Sequence, residues 1–391
     1  MENKNQLLTQ LNTQKNHSES QVSILHSTKK MLQSKMAEPA TQIQQGIASN
    51  LVEEIAKNGE EIPDKFIHKD GFPGAIIDPD IWKHSLLIDF SVLTSSTPAS
   101  AVELAKLRYA LCHWGCFQVV NHGVCSSFLE ELIKVIKQFF ALPLEEKLKC
   151  SDAQEKLLGY GTGKFSTGDQ AADWNDGLYL ILHPEDKRSV QFYPLKPENF
   201  CGMINEYSEK LAAIAEATFK AMARSLDLDE DCFVNCQRKK TTIKGRFICY
   251  PPCPRPERVL GVKSHSDGTY LTILLPDNEV NGLQVQKDEH WYKVPVIPGA
   301  LFINLGDLGE VMSNGMYKSV VHRVVTNAEK GRVSVAAFFI PEDGCEIGPI
   351  SELVSKDHPQ KYKKFEMSEF RRVYFETFAQ GLRAVDALKL H

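Results

Sequence analysis

The sequence predicts a mainly β protein in which helices flank an antiparallel jelly roll. Two observations lead to this fold class. After Lys240, short apolar runs alternate with turn-forming segments such as "PDNEVNG", "IPG" and "NAEKG", a pattern typical of sandwiches and barrels. Before this region, apolar residues recur mostly at helical spacing. We therefore expect a largely helical N-terminal part that wraps onto a jelly-roll core.

The composition is that of an ordinary globular protein. The 391 residues are 42% hydrophobic and 24% charged, which suits one large or two fused domains. No uninterrupted apolar stretch approaches the ~18 residues of a membrane span. The net charge of -5 gives no electrostatic reason to expect nucleic acid or a membrane as a partner. The ten cysteines show no clustered framework, so we expect free thiols in a reducing cytoplasm, and nothing demands more than a monomer.

The chain is expected to divide into four segments. Residues 1–35 are rich in Gln, Asn, Ser and Lys and are predicted to be disordered. Residues 36–240 are predicted to be mixed but largely helical, with a buried strand at "CFQVVNHGV" and a Gly-rich loop leading into a second strand at "DGLYL". Residues 241–345 are predicted to form the jelly-roll domain. Residues 346–391 are predicted to be a helical end segment.

Apolar periodicity predicts four helices in these segments. The first contains Leu104 and Leu111, and the second runs from about Phe128 to Phe139. The third is long, from Ile204 to Met222, and is expected to lie across the back of a sheet. In the last, Phe370, Tyr374 and Phe378 recur every four residues. We expect that apolar stripe to pack on the core.

Two polar side chains precede an apolar strand in "GVKSHSDGTYLTILL", which begins at Gly261. His265 and Asp267 are two residues apart and therefore point to one face of an extended chain. His322 lies 55 positions after Asp267, in the predicted strand "SVVHRVV". Two histidines and one carboxylate on neighbouring strands form the facial arrangement that holds non-haem Fe(II). Taken alone, an HxD pair also fits a surface turn or a core histidine whose hydrogen bonds are satisfied.

The strand "GRVSVAAFFI" places an arginine on an apolar face. Arg332, Ser334, Phe338 and Ile340 alternate along it and share one side. A buried guanidinium is costly without an anionic partner. A bound dicarboxylic acid would supply one, because the guanidinium fork grips a carboxylate in two parallel bonds and the serine hydroxyl adds a third.

The spaced motifs resemble a known family. "HSD" at 265, His322 and "RVS" at 332 are similar to the HxD…H…RxS pattern of plant 2-oxoglutarate- and Fe(II)-dependent dioxygenases, the iron/ascorbate-dependent oxidoreductases. "YPPCPRPERVLG", "WGCFQVVNHGV", "LLIDFS" and "HRVVTN" also resemble that family. The resemblance covers nearly the whole chain outside the N-terminal extension.

This resemblance implies a double-stranded β-helix and a set of cofactors. It implies Fe(II) bound by His265, Asp267 and His322. It implies the cosubstrate 2-oxoglutarate held by Arg332, Ser334 and Tyr250, with O2 as the oxidant and ascorbate supporting activity. The family's reaction releases succinate and CO2.

The chain departs from the family at one position near the cosubstrate. Many members have an asparagine two residues before the tyrosine of the YPPCP motif, where this chain has Ile248. An isoleucine cannot donate a hydrogen bond to 2-oxoglutarate. Weaker binding of the cosubstrate and a reshaped pocket are both compatible with this change.

The expected substrate is a small, largely apolar or aromatic specialised metabolite or hormone, because the predicted pocket shows no obvious second basic cluster. Tyr160 and Arg246 fall where similar enzymes contact substrate. Phe338 and Ile340 continue the inward face beyond Ser334, although core packing would explain them equally well. Hydroxylation is the expected outcome, and demethylation or desaturation uses the same chemistry.

Two other functions stay open from the sequence. One is an oxidase like the ethylene-forming enzyme, which shares the iron ligands but does not use 2-oxoglutarate. The other is a non-catalytic small-molecule-binding protein on the same scaffold. Buried metal-binding and arginine residues argue against the second, because a scaffold without catalysis has no reason to bury them.

Overall fold

A computed structural model describes residues 51–59, 61–151, 158–162, 170–235 and 241–390. The predicted disordered extension, residues 1–35, lies outside this range. From Leu51 onward the chain forms one compact unit. Among the described residues no helix is both long enough and apolar enough to cross a bilayer.

The described strands form two main sheets and one separate two-stranded pair. In chain order they are β1 (Leu87–Asp89), β2 (Cys116–Val120), β3 (Gly159–Thr162), β4 (Asp176–His183), β5 (Thr241–Tyr250), β6 (Leu260–His265), β7 (Leu271–Leu275), β8 (Leu283–Lys287), β9 (His290–Lys293), β10 (Leu301–Leu305), β11 (His322–Val325) and β12 (Arg332–Pro341), followed by the short pair β13 (Glu346–Ile347) and β14 (Phe365–Glu366). The large sheet has the order β1-β2-β10-β7-β12-β5-β4-β3, and the small sheet has the order β6-β11-β8-β9.

The two sheets enclose one hydrophobic core and build the predicted jelly roll. Core residues come from the large sheet, such as Leu271 and Val335, and from the small sheet, such as Val285. The N-terminal part not only wraps this core but also contributes strands to the large sheet. Its strand β2 pairs with β10, and β4 pairs with β5, both antiparallel. Strands from before and after residue 240 therefore share one hydrogen-bonded sheet.

The helices lie outside the sheets or at the open end of the roll. In chain order they are α1 (Val52–Asn58), α2 (Pro79–Ser85), α3 (Phe90–Leu93), α4 (Ser100–His113), α5 (Ser126–Phe140), α6 (Leu144–Leu148), α7 (Phe200–Ser225), α8 (Cys232–Asn235), α9 (Asp307–Met312) and α10 (Met367–Ala379). The four helices predicted from periodicity are α4, α5, α7 and α10.

Helix α7 supports the large sheet from behind, as predicted. Its apolar residues Ile204, Leu211 and Ile214 recur at helical spacing and are buried. The helix contacts α4 and α5 on its flanks and β4 and β7 of the sheet. This layer fixes the large sheet from outside and leaves the opposite, inward face free to carry the site.

Candidate active site

The HxD motif lies at a break between two strands. Strand β6 ends at His265 in the small sheet, and β7 begins at Leu271 in the large sheet. The HxD motif therefore lies where the chain passes from the small sheet to the large sheet. Gly268 occupies this crossing, and a Cβ there would lie 2.8 Å from the ring of Tyr374.

The three predicted metal ligands come together at this break. His265 and His322 are directly opposite each other in the antiparallel pairing of β6 with β11. The Oδ1 of Asp267 lies 3.4 Å from Nε2 of His265 and 3.7 Å from Nε2 of His322. One ligand atom from each side chain lies within 4.8 Å of the other two. This is the two-histidine, one-carboxylate set that suits non-haem Fe(II).

The surroundings of Asp267 keep its carboxylate charged and fixed. Its Oδ2 accepts hydrogen bonds from Oγ1 of Thr272 at 2.7 Å and from Nδ2 of Asn304 at 2.8 Å. Burial alone would raise the pKa of this carboxyl, but His322 and His265 outweigh burial and hold the pKa well below its usual range. The remaining oxygen, Oδ1, therefore faces the histidines as an anion.

Backbone carbonyls set the orientation of both histidine rings. Nδ1 of His265 lies 2.8 Å from the carbonyl oxygen of Lys263, and Nδ1 of His322 lies 3.3 Å from that of Val320. A carbonyl oxygen only accepts hydrogen bonds, so each Nδ1 carries the proton. Each Nε2 then presents a lone pair, as a metal-bound histidine requires.

Arg332 forms a second polar site, at the start of β12. Its side chain is buried, and its NH1 lies 3.4 Å from the Ser334 hydroxyl. The guanidinium carbon is 4.9 Å from the centre of the Tyr250 ring. Within the described part of the chain, its buried Nε has no hydrogen-bond partner. A buried cation with an unused donor fits a carboxylate ligand, which would accept bonds from the guanidinium.

Strand pairing places the YPPCP tyrosine and its neighbour beside this arginine. In the pairing of β12 with β5, Tyr250 is opposite Arg332 and Ile248 is opposite Ser334. Opposite residues in a sheet share a face. Ile248 is buried, so its hydrocarbon side chain forms part of the wall beside the serine.

A cavity of about 130 Å³ adjoins the proposed metal site, and two of the three ligands, His265 and Asp267, line it. Strands supply one side of its wall: Tyr179, Lys244, Arg246, Val262, Phe338 and Ile340. The crossing after β6 supplies Asp267, Gly268 and Thr269. Helix α10 supplies the opposite side: Met367, Phe370, Arg371, Tyr374, Phe375 and Phe378.

Comparisons with known proteins identify the family. A family model described as the 2OG-Fe(II) oxygenase superfamily matches residues 229–341, and one described as the non-haem dioxygenase in morphine synthesis N-terminal region matches residues 87–202. The chain is 35% identical to the Arabidopsis thaliana protein Lateral Branching Oxidoreductase 1, over 90% of this chain and 98% of that protein. It is 34% identical to codeine O-demethylase of Papaver somniferum, over 88% of this chain and 97% of that enzyme.

A solved structure agrees with these matches. The crystal structure of JOX2 in complex with 2OG, Fe and JA aligns with a TM-score of 0.77 and 32% identity, over 87% of this chain and 98% of that one. The chain belongs to the 2OG-Fe(II) oxygenase family. The jelly-roll prediction is confirmed.

This dioxygenase uses Fe(II) and 2-oxoglutarate, which together supply the oxidising chemistry when bound. The chain's own residues fit both groups. The triad offers one carboxylate oxygen and two imidazole nitrogens at one point. Arg332 offers a buried guanidinium whose Nε has no hydrogen-bond partner among the described residues. The oxidase and the non-catalytic binding protein, left open by the sequence, have no support in the comparisons.

The structure places most of the predicted substrate residues at the cavity, but not all of them. Arg246, Phe338 and Ile340 line it. Tyr160 does not belong to this lining, contrary to expectation. It is buried elsewhere, and its hydroxyl donates a hydrogen bond of 2.8 Å to Oε2 of Glu53. Because this bond fixes Tyr160 beneath helix α1, the side chain serves the packing of that helix.

Several cavity residues were missed from the sequence. The stripe of Phe370, Tyr374 and Phe378 was expected to pack on the core, yet all three line the cavity. The expectation of no second basic cluster was also wrong, since Lys244, Arg246 and Arg371 line the wall. The two strand residues could have been predicted from the sequence. Lys244 and Arg246 lie on the same face of β5 as Ile248 and Tyr250, because side chains two residues apart in a strand point the same way.

Proposed function

We propose that this dioxygenase oxidises a small specialised metabolite or hormone, with hydroxylation as the main outcome and release of succinate and CO2. The observation that carries the proposal is the triad of His265, Asp267 and His322 beside a cavity with a largely apolar wall. Relatives named for a small-molecule reaction, such as codeine O-demethylase, support a substrate of that size.

The proposed roles of the polar residues follow from their positions. The triad His265, Asp267 and His322 binds Fe(II). The guanidinium of Arg332 and the hydroxyl of Ser334 bind the carboxylate of 2-oxoglutarate that lies away from the iron, with the Tyr250 ring against the guanidinium. Because Arg332 is the first residue of β12 and is paired with Tyr250 of β5, its fixed backbone position sets how far the cosubstrate reaches toward the triad.

The proposed roles of the wall residues are to orient the substrate and to exclude water. Phe338 and Ile340 lie on the same strand face as Arg332, and the Phe338 ring is 6.2 Å from that of Tyr179. Apolar side chains here displace water from the metal side when substrate binds. The C–H group held nearest the triad decides between hydroxylation, demethylation and desaturation. Tyr160 has no proposed contact with the substrate.

The setting proposed for the enzyme is the cytoplasm, where it acts as a monomer. The cysteines in the described part of the chain form no disulfides. Free thiols suit a reducing compartment.

Anaerobic addition of Fe(II) and then 2-oxoglutarate to metal-free protein tests the proposal. The expected result is a visible charge-transfer band from the chelate of cosubstrate and iron. His265→Ala should abolish the band, and Arg332→Ala should require about 10- to 150-fold more 2-oxoglutarate, since a hydrogen bond to a charged group contributes about 1.5–3 kcal/mol. His290→Ala serves as a control, because His290 is exposed on β9. Bound iron without a band in the intact protein would contradict the proposed cosubstrate site.

A further inference from the structure

The cavity beside the proposed iron ligands has an excess of positive charge. Lys244, Arg246 and Arg371 line it, and the one carboxylate in its lining is Asp267. Asp267 is assigned to the metal, and Arg371 pairs with Asp343 outside the lining, so the lining supplies no carboxylate for Arg246. A cavity with this balance is electrostatically complementary to an anion.

Arg246 is fixed by a hydrogen bond and has further N–H donors that can bind a ligand. It lies opposite Tyr179 on β4 and opposite the small Ala336 on β12. One terminal nitrogen donates to Oδ1 of Asn175 at 3.0 Å, and Asn175 in turn donates to the carbonyl oxygen of Gly261. Among the described residues Arg246 forms no ion pair. A guanidinium has five donors, so most remain available for a planar, bidentate partner.

Tyr179 adds a neutral donor next to this guanidinium. Burial raises the pKa of its hydroxyl to about 12, so it stays protonated near neutral pH. The hydroxyl has no hydrogen-bond partner among the described residues. Arg246 and Tyr179 therefore present donors from neighbouring strands to the same space.

Arg371 provides a second guanidinium from the opposite wall. It lies on α10 at the edge of the cavity and pairs with Asp343 at 2.7 Å. Both partners are partly exposed, with 34% and 59% of their side chains accessible. An ion pair of this kind contributes little free energy, so Arg371 can exchange Asp343 for an entering anion at little cost.

The wall that α10 contributes to the cavity is largely aromatic. Phe370, Tyr374, Phe375 and Phe378 of α10 face it, and the Phe378 ring lies 5.5 Å from the ring of His265. The apolar wall thus extends to the metal ligands, while the guanidinium of Arg371 lies at the rim. A molecule with an apolar body and one anionic group matches both features.

We propose that the substrate is an organic acid whose carboxylate binds Arg246, Tyr179 and Arg371 and whose apolar body lies along α10 toward the triad. This inference rests on the proposed function, because it places the acid in the same cavity as the oxidation. It adds a defined chemical class to the expectation of a small, largely apolar or aromatic substrate.

Matched pairs of probes test the charge requirement. A panel of aryl- and alkyl-carboxylic acids, including 4-phenylbutanoic acid, is compared with the corresponding methyl esters, which keep the body and remove the charge. Binding to the full chain is measured anaerobically by calorimetry, with Mn(II) and saturating 2-oxoglutarate present, so that no turnover is needed. For the acids that bind, we expect affinities at least tenfold higher than for their esters, because a charged hydrogen-bonding pair is lost.

Variants then locate the carboxylate. Arg246→Met keeps the side-chain length without the charge and should weaken acid binding about 10- to 100-fold while leaving ester binding unchanged. Arg246→Lys should restore part of the loss, and Arg371→Met should cause a smaller loss. Arg372→Met is the matched control, because Arg372 is the next residue of α10, is exposed and pairs with Glu376. Its acid affinity should equal that of the unchanged protein.

Two results would overturn the inference. The first is a panel in which no acid binds more tightly than its ester. The second is an Arg246→Met variant that loses acid and ester affinity equally, since that pattern reports a damaged cavity and no carboxylate contact. The charge-transfer band is recorded on the same variants with Fe(II), so a failure of the cosubstrate site is seen separately from a failure of the acid site.

Discussion

At the scale of single residues, Ile248 leaves the proposed cosubstrate site without a hydrogen-bond donor that many relatives have. The side chain is buried opposite Ser334, two residues before Tyr250 on the same face of β5. Its hydrocarbon surface therefore adjoins the place where Arg332 and Ser334 offer their donors. We expect 2-oxoglutarate to depend on Arg332 and Ser334 more strongly here than in relatives with an asparagine at this position.

Ile248→Asn should therefore tighten the binding of 2-oxoglutarate. One added hydrogen bond contributes about 0.5–1.5 kcal/mol, which corresponds to about 2- to 12-fold in affinity. The same change should lower the melting temperature, because the new amide is desolvated whenever the cosubstrate is absent. Titration of the charge-transfer band measures the affinity. Ile248→Val is the control, as it shortens the side chain without adding a donor, and equal or weaker binding by the asparagine variant would contradict the prediction.

Strand alternation predicted the residues of the site well where the strands are regular. Arg332, Ser334 and Phe338 share a face because successive side chains of a strand alternate, and the structure places them so. Tyr160 was misplaced for a different reason. Its position depends on a hydrogen bond to Glu53, 107 residues away. No local pattern carries information about a partner at that distance.

At the scale of secondary-structure elements, helix α10 completes the site from outside the two matched regions. It begins at Met367, beyond the oxygenase match that ends at residue 341. The Tyr374 hydroxyl donates a hydrogen bond of 3.1 Å to the carbonyl oxygen of Ser266, between two proposed metal ligands. Periodicity predicted this helix but not its role, because an apolar stripe looks the same whether it covers a core or a cavity.

Gly268→Ala should loosen the contact between α10 and the metal-binding turn. The added Cβ would lie 2.8 Å from the Tyr374 ring, which is too close, so the ring and its helix must shift. Overpacking of this kind costs about 1–3 kcal/mol. The free energy of unfolding in urea measures this loss, and the Kd for Mn(II) should rise in parallel.

A second substitution, at Tyr374, tests whether the effect of Gly268→Ala acts through the contact with this ring. Tyr374→Leu removes the ring, so combining it with Gly268→Ala should cost less than the sum of the two single changes, as a double-mutant cycle measures. Gly74→Ala is the control, because among the described residues no atom beyond its chain neighbours lies within 4 Å of a Cβ at that position. Strict additivity of the two changes would show that the ring and the turn are not coupled.

At the scale of the whole molecule, the proposed iron site joins the two sheets. His265 and His322 belong to β6 and β11 of the small sheet. Asp267 is held by Thr272 of β7 and Asn304 of β10, which belong to the large sheet. The sequence predicted the strands but not this arrangement, because the order of strands within a sheet depends on long crossings that local patterns do not encode.

A metal at this junction should stabilise the entire fold. A ligand that binds only the folded state adds about 2.7 kcal/mol at a free concentration of 100 times its Kd. Mn(II), which replaces Fe(II) without reacting with oxygen, should therefore raise the melting temperature of metal-free protein by several degrees. His265→Ala should remove this rise and His290→Ala should keep it. A rise that persists in His265→Ala would mean that the stabilising metal binds somewhere other than the junction of the two sheets.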